Sequence, residues 1–244
     1  MVTPMVTPMV TRTSAVQAAL LALPVLTGAA VAACANQAPV DPGGCLAAVL
    51  AHEEHTDDDD GVSHDVRYEE RFVRCGDHVW TARVLPRGLP ERHAADGHRE
   101  MPPSYALARL VTRQADGRGA LALVATDARQ VIDVSPESFD TERFDGDFEA
   151  ARHLIAPAAL ARMERITRAA PGGASWRERT SPGGFVRVLW STKLDFPLEI
   201  ESGSASGKKR DRIVVRIEPR PAEDALPWAH LATYERKSDS DYMD

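Results

Sequence analysis

Apolar and polar residues alternate with a period of two through residues 185–218. Val186, Val188 and Trp190 fall on one side of a first run. Leu198 and Ile200 share a side of a second, with Glu199 and Glu201 opposite, and Ile213, Val215 and Ile217 repeat the pattern in a third. A strand sends successive side chains to opposite faces, so the spacing predicts a meander with one apolar and one wet face. Shorter runs upstream carry the same signal. Residues 65–86 read as a hairpin, with Val66, Tyr68, Phe72 and Val73 before a turn at Cys75-Gly76-Asp77. Residues 105–112 and 120–126 flank Asp116-Gly117-Arg118-Gly119, a second hairpin signal, and 130–134 adds a short strand. Another strand begins at Trp176 and turns at Ser181-Pro182-Gly183-Gly184.

Helical spacing appears in two places. In residues 45–55, Leu46, Val49 and Leu50 would share a helix face. The middle of the chain is predicted helical from Ser135-Pro136-Glu137 onward, spaced by Phe139, Phe144 and Phe148. Pro157 suits the first turn of a further helix, and Leu160, Met163 and Ile166 form its stripe until Pro171-Gly172-Gly173. Residues 86–104 hold four prolines and no apolar period, which predicts a long exposed loop. Beyond Pro219 and Pro221 the tail is polar except around Leu226-Pro227-Trp228 and Leu231, and a frayed terminus is expected. Strands, then helices, then strands predict an α+β fold with a largely antiparallel sheet, in a single domain over 45–244.

The N-terminus changes the picture of where the chain works. Met1, Met5 and Met9 offer three starts, and a start at Met9 leaves a compact signal with Arg12 as its positive region. Residues 15–33 are apolar and rich in Ala and Leu, as in a secretory signal. Val31-Ala32-Ala33-Cys34 resembles a bacterial lipobox, whose cysteine is lipidated and becomes the new N-terminus. The expected order is a lipoprotein-type signal at 1–33, a tether at 34–44 broken by Pro39, Pro42, Gly43 and Gly44, and then the domain. Lipidation at Cys34 would place the protein in the periplasm, anchored to the outer membrane. The alternative is ordinary signal cleavage near Ala33 or Ala35. With Cys34 lipidated, Cys45 and Cys75 remain for one disulfide; Cys34–Cys45 pairing and free thiols are the other options. The net charge of −7 argues against nucleic acid as a partner.

The stretch Val188-Leu189-Trp190-Ser191-Thr192-Lys193-Leu194-Asp195-Phe196-Pro197-Leu198-Glu199-Ile200-Glu201 resembles the LolA/RseB-type periplasmic lipoprotein-handling superfamily. The order strand, Pro-Leu, strand, Gly-containing turn and strand continues through Gly207 to residues 213–217. The resemblance implies a curved antiparallel half-barrel closed by helices over an apolar cavity. It also implies non-enzymatic binding of a lipid, another hydrophobic ligand or an envelope protein, with no cofactor. On this reading Val188, Trp190, Leu198, Ile200, Val215 and Ile217 line the ligand cavity. The candidate anchor at Cys34 and the acidic loop at 57–60 depart from the family pattern.

A competing chemistry sits at residues 52–64. Six of the eight histidines lie between His52 and His98, and His52, His55 and His64 are embedded among Asp and Glu. Neutral imidazole with carboxylates can bind Cu or Zn, so a periplasmic divalent-metal protein is the alternative function. The spacing matches neither the zincin helix nor an EF-hand. A solvated acidic loop explains the same residues. Enzymatic motifs are missing from the sequence: no nucleophile elbow, phosphate loop or C-x-x-C pair occurs, so no catalytic residue is assigned.

Overall fold

The structure, a computed structural model, describes residues 44–85 and 106–240. The expected signal at 1–33, Cys34, the tether up to residue 43 and the proline-rich loop lie outside the described residues.

Two antiparallel meanders make up the sheet. The first contains β1 (Leu46–Asp57), β2 (Ser63–Cys75), β3 (His78–Arg83), β4 (Ala108–Arg113), β5 (Gly119–Ala125) and β6 (Gln130–Asp133). The second contains β7 (Glu164–Arg165), β8 (Ala174–Ser181), β9 (Gly184–Ser191), β10 (Phe196–Ser204) and β11 (Lys209–Glu218). They fuse because β11 pairs antiparallel with β1, setting Val215 opposite Leu50 and Ile213 opposite His52. With β12 (Glu235–Ser238) added in parallel to β6, the described residues form one curved, open sheet of twelve strands, β12-β6-β5-β4-β3-β2-β1-β11-β10-β9-β8-β7. Two short helices, α1 (Phe148–His153) and α2 (Pro157–Ala161), connect the meanders.

The helix expected over residues 45–55 is instead the strand β1. Leu46, Ala48 and Leu50 face one core, while Ala47 faces another. A strand buried on both sides loses its alternation, so its apolar run mimics a helical stripe. The helical middle is also shorter than expected. Residues 136–138 form a single 3-10 turn, α1 starts only at Phe148, and α2 ends before Met163. Ile166 follows β7 rather than continuing α2. The tail is not frayed through 235–238, where it supplies β12.

Each face of the sheet has its own core. On the helix-bearing face Leu50, Phe72, Val111, Phe148 and Phe196 belong to one cluster. Val188 and Trp190 form a smaller one with Leu160 and Met163 on the same face. Gly119 is required by this packing, because a Cβ there would stand 2.8 Å from the Phe144 ring and 2.9 Å from Val111. On the reverse face Val73, Trp80, Val124 and Val131 pack under Leu231, with Leu226, Trp228 and Tyr234 alongside. The far half of the reverse face is wet, and cross-strand ion pairs cover it. Arg212 binds Glu199 at 2.7 Å, and Arg187 binds Glu178 at 2.8 Å. Cys45 and Cys75 form a disulfide that joins the start of β1 to the end of β2.

Candidate binding face

The strand register brings the alternating apolar residues to one face. Ile200 is paired with Val188 on one side and Ile213 on the other, and Val215 with Leu50. These residues do not all stay open. Val188 is fully buried and Trp190 nearly so, beneath Leu160 and Met163. Val215 is buried in the main core, and Leu198, Ile213 and Ile217 pack half-buried against it. Ile200 and Val186 are half-buried against the α2 cluster. Leu198, Ile200, Ile213 and Ile217 are thus only partly accessible, while Val188 and Trp190 serve as floor under α2.

A cavity of about 460 Å³ lies on this face between β3–β4 and the segment leading into α1. Val79 and Val111 form its apolar floor, and Ala150, Ala151 and Leu154 its roof. Asp140, Arg109, Arg143, Asp145 and Asp147 also line it. Local structure explains why α1 stands there. Asp147 caps the helix by accepting from the Ala150 N–H at 2.9 Å, and Asp145 accepts from the Asp147 N–H at 2.9 Å. Leu154 ends the helix in the left-handed region at φ 59°. Arg109 donates to the Glu142 carbonyl at 2.7 Å, and burial holds its pKa below the usual arginine value.

Arg74 ties this cover to the sheet. Its side chain is buried, and it donates to the carbonyls of Arg152 at 3.0 Å, Leu194 at 2.9 Å and Asp195 at 3.1 Å. The end of α1 and the β9–β10 turn are thus held by one guanidinium, which also lies 4.8 Å from the Phe196 ring centre. Burial, with Arg152 nearby, pushes the Arg74 pKa down to about 10, against the pull of Asp195 and Glu149. Buried His153 adds a second tie, with Nδ1 donating to the Glu149 carbonyl at 3.0 Å and Nε2 3.3 Å from Asp195. Sequence reading missed Arg74 and Arg109, yet a signal existed. Both sit at the parity of their apolar neighbours, Phe72 and Val111, where a charge needs a reason.

The histidine-rich segment is arranged differently from the helical expectation. Because β1 is a strand, His52 and His55 point to opposite faces. His52 stacks on Tyr68 at 4.4 Å and lies 3.0 Å from Glu70. Burial, with Glu70 and Glu54 adding to it, pushes the Tyr68 pKa up to about 12. His55 is held between Asp65 at 2.8 Å and Asp57 at 3.3 Å, and hydrogen bonds to Asp65 and then Asp57 raise its pKa above 6.5. His64 pairs with Asp58 at 3.1 Å. Among the described residues no three His, Cys, Asp or Glu side chains are grouped to hold a metal ion.

No family model and no curated protein matches the chain. Several solved structures are similar to it. An uncharacterized conserved protein from Thermus thermophilus is 11% identical, with 80% of this chain and 90% of that one covered and a TM-score of 0.43. A LolA superfamily protein from Nitrosomonas europaea is 13% identical over 77% of this chain and 91% of that one, with a TM-score of 0.34. The complex of MucA and MucB from Pseudomonas aeruginosa supplies a third, 13% identical over 75% of this chain and 54% of that one, at 0.33. This likeness to solved structures covers three quarters of the chain or more, at no more than 13% identity. At these TM-scores it carries no assignment of ligand or activity.

Proposed function

We propose that the chain is a non-enzymatic protein of the bacterial envelope that holds a hydrophobic ligand on its helix-bearing face. The ligand is an acyl chain or lipid, or an apolar segment of a partner protein. One observation carries this reading: the cavity floored by Val79 and Val111 and roofed by Ala150, Ala151 and Leu154. Its apolar floor and roof, with charged Arg109, Asp140, Arg143, Asp145 and Asp147 also in the lining, match a small-ligand pocket that pairs apolar walls with convergent polar groups. In this reading α1 and the segment leading into it are the cover of the site. Lipidation at Cys34 would hold the protein at the outer membrane, in the periplasm.

The test is native mass spectrometry of protein extracted gently from the envelope. Wild type should carry a non-covalent lipid-sized adduct. Ala151→Trp, which fills the cavity from its roof, should lose it while keeping the fold. Wild type with no adduct, or an adduct equally occupied in Ala151→Trp, would sink the proposal.

A further inference from the structure

The reverse face holds a second, separate pocket. After β11 the chain crosses this face as a strap, residues 219–234, before adding β12 at the far edge. Leu231 seals the sheet over Val124 and Val131, but the strap does not fill the ground nearer β1. A pocket of about 390 Å³ remains there. Ala47, Val73, Trp80 and Ala82 line it from the sheet, and Pro219, Pro221, Ala225, Pro227 and Tyr234 from the strap.

The strap is pinned at its C-terminal end, where it runs into β12, and it packs on the sheet through Leu226, Trp228 and Leu231. Arg236 binds Asp133 through two hydrogen bonds, and Gln130 donates to Glu235 at 2.9 Å. Arg129 donates to the Thr233 hydroxyl at 2.9 Å, and the Ser135 hydroxyl to Asp239 at 2.9 Å.

We infer that this reverse-face pocket is a binding site for an uncharged, flat, apolar ring. Its lining is rich in rings, those of Trp80, Tyr234, Pro219, Pro221 and Pro227. Aromatic faces pack best on flat partners, in offset or edge-on geometry. The charged groups that line the pocket are one of each sign, Arg71 and Glu218, and their fields oppose each other instead of selecting an ion. A ring lying between Trp80 and the prolines would bury apolar surface that the strap leaves uncovered. The site is independent of the helix-bearing face, because the sheet separates the two cores.

Titration with phenylnaphthylamine, an uncharged fluorophore built of flat aromatic rings, tests this in the full chain. Three variants accompany wild type: Ala225→Trp fills the pocket from the strap, Ala82→Met fills it from the sheet, and Ala151→Trp fills the opposite cavity. Ala225 is exposed, so its replacement leaves the core packing untouched. Wild type should show a binding phase that Ala225→Trp and Ala82→Met each weaken tenfold or more and that Ala151→Trp leaves in place. A phase unchanged in Ala82→Met and in folded Ala225→Trp would overturn the inference, as would its loss in Ala151→Trp alone. Loss of a different phase in Ala151→Trp bears only on the helix-bearing face, so the two proposals fail separately.

Discussion

Replacing Arg74 by leucine is expected to lower folding stability by about 3 kcal/mol, the scale for losing hydrogen bonds made by a charged group together with the pairing of a buried carbonyl. Leucine keeps part of the apolar stem but removes every donor. The carbonyls of Arg152, Leu194 and Asp195 then lose the guanidinium that satisfies them. The contact to the Leu194 carbonyl is buried, and leaving that group unpaired costs about 1–3 kcal/mol, while the part-buried carbonyls of Arg152 and Asp195 cost less. Removing the buried charge itself returns some of this, because its desolvation is no longer borne; that keeps the expectation below the sum of the three. Arg74→Lys should recover only part of the loss, since an ammonium is a compact point charge and lacks the planar fork that reaches both α1 and the β9–β10 turn. Urea unfolding checks both variants. A midpoint shift worth less than about 1 kcal/mol in Arg74→Leu would mean that the carbonyls find other partners. The same variant should loosen α1, so faster amide exchange at residues 149–153 than in the strands accompanies the loss.

Phe196→Ala should cost as much or more, about 3–5 kcal/mol, the range for deleting a buried aromatic ring. Phe196 is fully buried and tilted against Phe72 at 5.0 Å between ring centres. Its other neighbour is Arg74, so the two substitutions share a site. Residues in contact couple by about 0.5–3 kcal/mol, and Arg74→Leu with Phe196→Ala should therefore fall short of additivity. A strictly additive double variant would show that the guanidinium and the ring act independently. Phe72→Ala provides the internal comparison, being as deeply buried on the other side of the same pair.

Much of the sheet was legible because its strands obey period two. Residues 185–218 gave β9, β10 and β11 in order, and their apolar side chains do share a face. The hairpins around Gly76-Asp77 and Gly117 were legible for a different reason, as both turns use glycine at positive φ, 55° and 85°. What failed has a common cause. Leu46 to Leu50 are buried on both sides, so alternation vanished and a helix was read. The same double burial defines β5, where almost every residue is buried, and there only the flanking turn kept the reading correct. The short helices failed because Leu160 and Met163 reach Val188 and Trp190 from a single turn and the loop after it, which stripe spacing cannot separate from a longer helix.

The site was less legible than the fold. Alternation marks which residues share a face but not which of them a neighbour covers. Val188 and Trp190 were expected in a cavity and lie sealed under α2, whereas the cavity itself depends on Val79, Val111 and Ala151. Those three come from different parts of the chain, and Ala151 has no distinguishing pattern of its own. The strap was missed because three prolines and scattered apolar residues have no period. Leu226, Trp228 and Leu231 take their meaning only from the exposed apolar reverse face they cover.

The proposed function requires the helix-bearing face to accept an apolar chain. A stearate carrying a spin label near its methyl end, titrated into methyl-labelled protein and followed by NMR, tests that directly. The expected result is paramagnetic broadening centred on the methyls of Val79, Val111 and Leu154, with those of Val131 and Leu231 on the reverse face spared. Broadening confined to the reverse face, or none at saturating stearate, would contradict it.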